Sequence, residues 1–167
     1  MSELPSAEEV RQLPVGITEI VGDNYIDING HMNVRHYFDL HLRGMDVSSL
    51  VTGFKSKYLQ ERGYGSFSAE HNIRYFAEVL AGEQVSTHMR FLDRSDKTIH
   101  AMSLLVNDSK NQVANILEVL LVHIDMTTRR AAPMEPHIAK NIDAAIAAGN
   151  SLDWAAPING AIKIRRR

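Results

Sequence analysis

Asp27, Asn29 and His31 stand at alternate positions in the run Asp27-Ile28-Asn29-Gly30-His31-Met32-Asn33. A carboxylate can attack a carbonyl or take a proton from water, and an imidazole moves protons near neutral pH. An amide can hold a water or a carbonyl oxygen. An amphipathic segment begins directly after, at Val34-Arg35-His36-Tyr37-Phe38-Asp39-Leu40. The first turn of such a helix has free N–H groups that favour negative charge. Together these residues are equipped to polarise a carbonyl and attack it. A plainer description fits the same letters: Asn-Gly is a common turn pair, and Asp or Asn is a common helix cap. The surrounding elements must separate the two.

Those elements read as follows. Ser6-Ala7-Glu8-Glu9 is a capping box opening a short helix that Pro14 ends. Residues 15–26 form a strand with Gly22 as a bulge or bend. From Asn33 to about Asp46 the period is helical, with Val34, Phe38, Leu42 and Met45 on one stripe and Tyr37 and His41 beside it. Asp39 and Arg43 make an i,i+4 pair, and Gly44 weakens the helix end. A second helical segment, about 47–62, stops at Gly63. After Gly65 the period becomes two. Ile73, Tyr75, Ala77 and Val79 alternate with Asn72, Arg74, Phe76 and Glu78, and Val85, Thr87, Met89 and Phe91 alternate with Gln84, Ser86, His88 and Arg90. Strands at 98–106 and 112–125 follow, joined by turns at 93–97 and 107–111, so the neighbours are antiparallel. Residues 136–149 form a late helix, and Arg165-Arg166-Arg167 is a solvated tail. One long apolar helix before an antiparallel meander is an α+β plan, the sheet curling around that helix.

The chain has 167 residues, 44% hydrophobic and 23% charged, with a formal net charge of −2. That length suits one domain, residues 15–167, preceded by an extension at 1–14. The balance of charge argues against a nucleic-acid partner. With no cysteine, disulfides, thiolate nucleophiles and Cys-ligated metals are excluded. No run is long enough to span a bilayer, and the first fourteen residues lack the apolar core of a signal peptide, so the expected location is the cytoplasm.

In order and motifs the chain resembles the hotdog-fold thioesterases of the 4-hydroxybenzoyl-CoA thioesterase-like superfamily. The resemblance lies in Asp27-Ile28-Asn29-Gly30-His31-Met32-Asn33, in Ile73-Arg74-Tyr75 with Ala81-Gly82-Glu83, and in Arg94-Ser95 followed by Val122-His123-Ile124-Asp125 and Thr128-Arg129-Arg130-Ala131-Ala132-Pro133. The Asp-x-Asn-x-His spacing also looks like the loop of plant acyl-carrier-protein thioesterases. Across about 20–165, including Pro157-Ile158-Asn159-Gly160, the chain is most similar to the thioesterases associated with carnitine dehydrogenase. The resemblance implies a hotdog fold, subunits paired through their sheets as a homodimer or dimer of dimers, and sites between subunits. It also implies an acyl-CoA or acyl-carrier substrate, with no metal and no cofactor.

Carried onto this chain, it makes Asp27 the base or nucleophile. Asn29 positions water or the carbonyl, and His31 protonates the leaving thiolate or orients Asp27. Asn33 caps the helix, and backbone N–H groups from Gly30 through Met32 to Asn33 meet the oxyanion. Glu78 lies where the plant enzymes place a glutamate, but Val79 stands where their cysteine follows, and strand parity puts Glu78 opposite Ile73 and Tyr75. Glu118, inside an apolar run, is expected to face solvent or an interface. Arg90, Arg94 and Lys97 are of the type that holds coenzyme A phosphates, Arg94 being the one assigned to substrate, though each also reads as an ordinary surface charge. His31, His36 and His41 are spaced by five, which no helical metal pair uses. Two other functions fit more loosely. A hotdog enoyl-CoA hydratase would have a proline after the Asn and the His five after the Asp. A non-catalytic acyl-CoA-binding regulator would carry a DNA-binding segment, for which fourteen non-basic residues are too few.

Overall fold

A sheet five strands wide wraps one helix, and the residues that line that helix decide the geometry. The computed structural model describes residues 3–54 and 56–164; the Arg165-Arg166-Arg167 tail lies outside them. The elements run α1 (Ala7–Val10), β1 (Val15–Ile20), α2 (Val34–Ser49), α3 (Ser56–Arg62), β2 (Tyr64–Tyr75), β3 (Gln84–Arg94), β4 (Thr98–Asn107), β5 (Gln112–Asp125), β6 (Arg130–Ala131) and α4 (Pro136–Asn150). The sheet order is β1-β3-β4-β5-β2, antiparallel throughout, with the short β6 on β5. This is the hotdog arrangement, α+β, with α4 as the expected late helix. Among the described residues no helix is long and apolar enough to cross a membrane.

Alternation sorts the strands into two faces. Met89, Phe91, Ile99, Ala101, Leu117 and Val119 pack with Met45 of α2 and with Ile138 and Ile142 of α4 on the concave side. Met102, Leu104, Val106 and Ile116 face the other way, covered by Ala7, Val10 and Leu13 of the N-terminal arm and by Trp154. The arm is fastened by the expected capping box of Ser6 and Glu9. Arg90 is buried on this convex side, donating to the Trp154 carbonyl at 3.0 Å and lying 4.4 Å over its ring. It is therefore no surface charge.

The helical period around α2 is right, and its phase is right for Tyr37, His41 and Met45 but not for Val34 and Leu42. The buried face is Tyr37, Leu40, His41, Gly44 and Met45, whereas Val34 and Leu42 are exposed. Gly44 does not end the helix, which runs on to Ser49. A Cβ there would sit 2.0 Å from Thr87 Oγ1, and one on Gly16 would sit 2.7 Å from the Gly44 carbonyl. The glycines let α2, β1 and β3 touch backbone to backbone. The expected helix at 47–62 is broken by a 3-10 turn, Leu50–Thr52, and by Gly53 at φ 92° before α3.

Three further expectations are corrected. β1 stops at Ile20, its irregular register falls between Val15 and Thr18, and a 3-10 turn, Asp23–Tyr25, replaces the rest of the strand. β2 stops at Tyr75, because Phe76 and Ala77 both donate to the Ala114 carbonyl and the chain turns off the sheet. Glu78 is thus on a loop, and strand parity does not apply to it. Glu118 is fully buried, not solvent-facing, paired with Arg74 at 3.1 Å and His100 at 3.3 Å. The Asn159 amide donates to it at 3.3 Å, and Arg74 also donates to the Pro157 carbonyl, so these ions fasten the C-terminal strap over the sheet.

The close approach at Gly44 has a measurable cost if filled. Gly44→Ala should lower unfolding free energy by about 1–3 kcal/mol through overpacking against Thr87, despite alanine's better helix propensity. Urea denaturation checks this, and a neutral or stabilising result would show that the contact yields easily.

Candidate active site at the N-terminus of the central helix

The loop before α2 is tied on both sides. Ile26 and Met32 form an isolated bridge, Asp27 N–H donates to the His31 carbonyl at 3.1 Å, and Gly30 N–H returns to the Asp27 carbonyl at 3.0 Å. Gly30 has φ 82°, a left-handed turn position that favours glycine. Met32 N–H reaches the Val79 carbonyl at 2.8 Å and Asn33 N–H the Tyr25 carbonyl at 2.9 Å. The backbone donors of Gly30, Met32 and Asn33 are therefore spent on holding the loop. This narrows the expected oxyanion donors. Within 30–33 only the His31 N–H is outside these bonds, with Val34, the first residue of α2, next along the chain.

The carboxylate of Asp27 is gripped at both oxygens. Oδ1 accepts from Asn29 N–H at 2.8 Å and Oδ2 accepts from Asn33 Nδ2 at 3.2 Å. Asn33 is also the N-cap of α2, its Oδ1 accepting from Arg35 N–H at 3.1 Å. One amide thus joins the carboxylate to the positive end of the helix. The Asn29 N–H, then the Asn33 side chain and the nearby His31, hold the Asp27 carboxyl below the usual carboxylate range. Asp27 is half-buried, while the Asn29 side chain is exposed. His31 sits beside them, its Nδ1 donating to the Met32 carbonyl at 3.3 Å, so Nε2 has no partner among the described residues. The turn-and-cap description and the chemical one hold together, because the turn is what aims the carboxylate.

The wall behind the loop is built from contacts that no local sequence pattern marks. Tyr25 stacks on His36 with ring centroids 4.1 Å apart and hydrogen-bonds Glu19, which Arg43 also pairs with. Glu19 and Arg43 are far apart in sequence, and no local pattern announces their meeting. Under α2, His41 is wholly buried between Ser103 and Asn115. The Asn115 oxygen only accepts, so His41 Nε2 carries the proton and Nδ1 accepts from the Ser103 hydroxyl at 2.8 Å.

The remaining predicted residues divide. Glu78 is exposed next to Val79, whose carbonyl holds Met32, so its loop adjoins the site although its side chain makes no hydrogen bond to Asp27. Arg94 ends β3 at the far end from Val85 and pairs with Asp143 at 2.6 and 2.5 Å, lining a separate cavity of about 1610 Å³ with Lys97 and Glu70. It is not brought to the loop. Among the described residues no group of three or more His, Asp or Glu could hold a metal ion.

A family model described as thioesterase-like superfamily matches residues 21–142. The chain belongs to that superfamily. It is 23% identical over 128 residues to a betainyl-CoA thioesterase of Pseudomonas aeruginosa, covering 77% of this chain and 80% of that one. It is 28% identical over 123 residues to the L-carnitine dehydrogenase/betainyl-CoA thioesterase of Agrobacterium fabrum, spanning 74% of this chain but 25% of that longer protein. A hypothetical protein of Staphylococcus aureus, solved in complex with CoA, superposes with a TM-score of 0.80 at 20% identity, covering 92% and 97% of the two chains. A Thermus thermophilus thioesterase complexed with coenzyme A and Zn gives 0.68 at 18% identity, covering 81% and 96%. The superfamily segment begins at Val21, just ahead of the loop, and takes in all of α2 and the sheet from β2 to β5.

Burial pushes His41 down to about 4 from 6.5, and burial also lowers His88. Both take up protons on unfolding, so stability present above about pH 6.5 should be lost as pH falls towards about 4. Urea midpoints across that range should show the loss. His41→Gln should make its slope shallower by about one proton, and an unchanged slope would rule His41 out as the group responsible.

Proposed function

We propose that this chain hydrolyses the thioester of an acyl-CoA, releasing the free acid and the coenzyme thiol. The observation that carries the reading is the Asp27 carboxylate, fixed by Asn29 and Asn33 against the N-terminus of α2. A thioester carbonyl laid there meets the helix dipole and the His31 and Val34 N–H groups, which stabilise charge as it develops on oxygen. Asp27, ionised at neutral pH, either attacks the carbonyl carbon, giving a mixed anhydride that water then cleaves to the free acid and Asp27, or takes a proton from a water that attacks the carbonyl directly. The carbon–sulfur bond then breaks, and His31, when protonated at Nε2, donates to the departing thiolate. Asn29 holds the water or the carbonyl oxygen. The scheme uses no metal and no cofactor. Residues 15–167 act in it as one domain, the arm at 1–14 serving to cover the sheet. Betainyl-CoA, for which the relatives are named, is the first substrate to test.

The site is completed by a second copy. β2 is an edge strand of 12 residues, its other side unpaired in the sheet. Two copies related by a two-fold axis across it pair antiparallel. Exposed apolar residues gather at both ends of α2: Ile28 and Val34 at one, Val47, Leu50 and Val51 at the other. The two-fold lays one set against the other.

Asp27→Asn keeps the size and most of the turn bonding, so the fold should survive while kcat falls about 10²–10⁴-fold with little change in KM. Asn29→Ala and His31→Gln should cost less. Thiol release and the thermal midpoint on the same sample decide it: lost stability with turnover intact would leave Asp27 a turn residue and make Glu78 the next to test. Light scattering at micromolar concentration should give at least twice the 18.7 kDa chain mass, and a single monomeric species would remove the shared site.

A further inference from the structure

We infer that Glu19 and Tyr25 are positioning residues for the loop carboxylate: the hydrogen bond from the Tyr25 phenol to Glu19 fixes the shoulder from which both Asp27 and its partner Asn33 hang. This deepens the thioesterase reading and rests on it.

Glu19 is set on the sheet, where it stands opposite Val85 of β3. Its half-buried carboxylate accepts from the Tyr25 hydroxyl at one oxygen and pairs with Arg43 of α2 at the other. Arg43 first, and then Tyr25, hold the Glu19 carboxyl below the usual range, so it is ionised and accepts from both. Asp39, one helical turn before Arg43, pairs with the same guanidinium at 3.3 Å. One carboxylate thus joins β1, the shoulder and α2.

Tyr25 ends the 3-10 turn, Asp23–Tyr25, and holds the start of α2 twice. Its ring stacks on His36, with centroids 4.1 Å apart and planes 3° apart. Its carbonyl accepts the Asn33 N–H at 2.9 Å. Asn33 in turn donates its side-chain amide to Asp27 at 3.2 Å, and Asp27 follows Tyr25 by one intervening residue, Ile26. Both ends of the Asn33–Asp27 bond are therefore referred to Tyr25. Stacking alone leaves a ring free to slide in its plane, and the hydroxyl bond to Glu19 removes that freedom. The charged and titratable groups facing this contact are Arg43, Asp39 and His36, with Arg35 donating to His36 Nε2 at 3.1 Å; His31 faces Asp27. A part-exposed ion pair such as Glu19–Arg43 adds little to stability. The phenol makes it directional, and that direction ends on the loop.

The test follows thiol release across pH and, on the same samples, the titration of the Asp27 carboxyl by carbon NMR and the urea midpoint. Tyr25→Phe keeps the stacked ring and the backbone bond and removes only the hydroxyl. Its kcat should fall about two- to tenfold with KM little changed. The Asp27 titration and the acid limb of the rate profile should both move to higher pH, because a looser Asn33 stabilises the carboxylate less. Glu19→Ala should match it. Glu19→Gln, whose amide oxygen still accepts from the phenol, should restore most of the rate. The Tyr25→Phe/Glu19→Ala double variant should fall no further than either change alone. An unmoved Asp27 titration and wild-type turnover per folded molecule in Tyr25→Phe, with only the urea midpoint lowered, overturn the inference. Glu19→Gln as poor as Glu19→Ala overturns it too. Absence of thiol release by the wild type from every acyl-CoA tried overturns the thioesterase reading beneath it, while the Asp27 titration still judges the geometry.

Discussion

Everything at the loop depends on how closely α2 lies against the sheet. Gly16, Gly44 and Thr87 meet at van der Waals distance or less for any added carbon, and Thr87 also accepts the Ile17 N–H at 3.2 Å. One helical turn earlier, His41 is pinned between two strands through Ser103 and Asn115. These contacts fix the depth and rotation of the helix, and hence where its first turn emerges. Asn33 then transmits that position to Asp27. The carboxylate is held by the helix cap, so a displaced helix would carry Asp27 with it.

Much of this was readable locally. The loop from Asp27 to Asn33 makes its bonds within a few residues, so turn and cap preferences describe it well. The meander was readable for the same reason: β3, β4 and β5 are joined by short polar turns and keep a clean period of two. The capping box at Ser6 and the helix over α4 likewise depend on neighbours a turn away.

The failures all involve partners distant in sequence. The apolar pattern of α2 marks Tyr37, His41 and Met45 correctly, yet the face that packs also includes Gly44 and leaves out Val34 and Leu42, a choice made by Thr87, Ser103 and Asn115 on other elements. Glu118 reads as a misplaced charge until Arg74, His100 and the Asn159 N–H close around it, 44, 18 and 41 residues away in sequence. Strand parity does not reach Glu78, because the Ala114 carbonyl captures two successive amides and bends the chain. Arg94 has the right type for a phosphate, but Asp143 on α4 already holds it. Letters alone do not show that a cation is occupied.

The two rims of the sheet are unequal. One is the long β2; the other is β1, six residues with an irregular register and a 3-10 turn cutting it short. A ribbon with two equivalent rims can stack without end, each added molecule exposing a fresh template. In the proposed dimer the long rim is used up by its own symmetry mate, while the short one presents few regular amides to a further copy. Pairing of that kind is self-terminating: it would yield a finite particle and leave no growing end from which fibrils could extend.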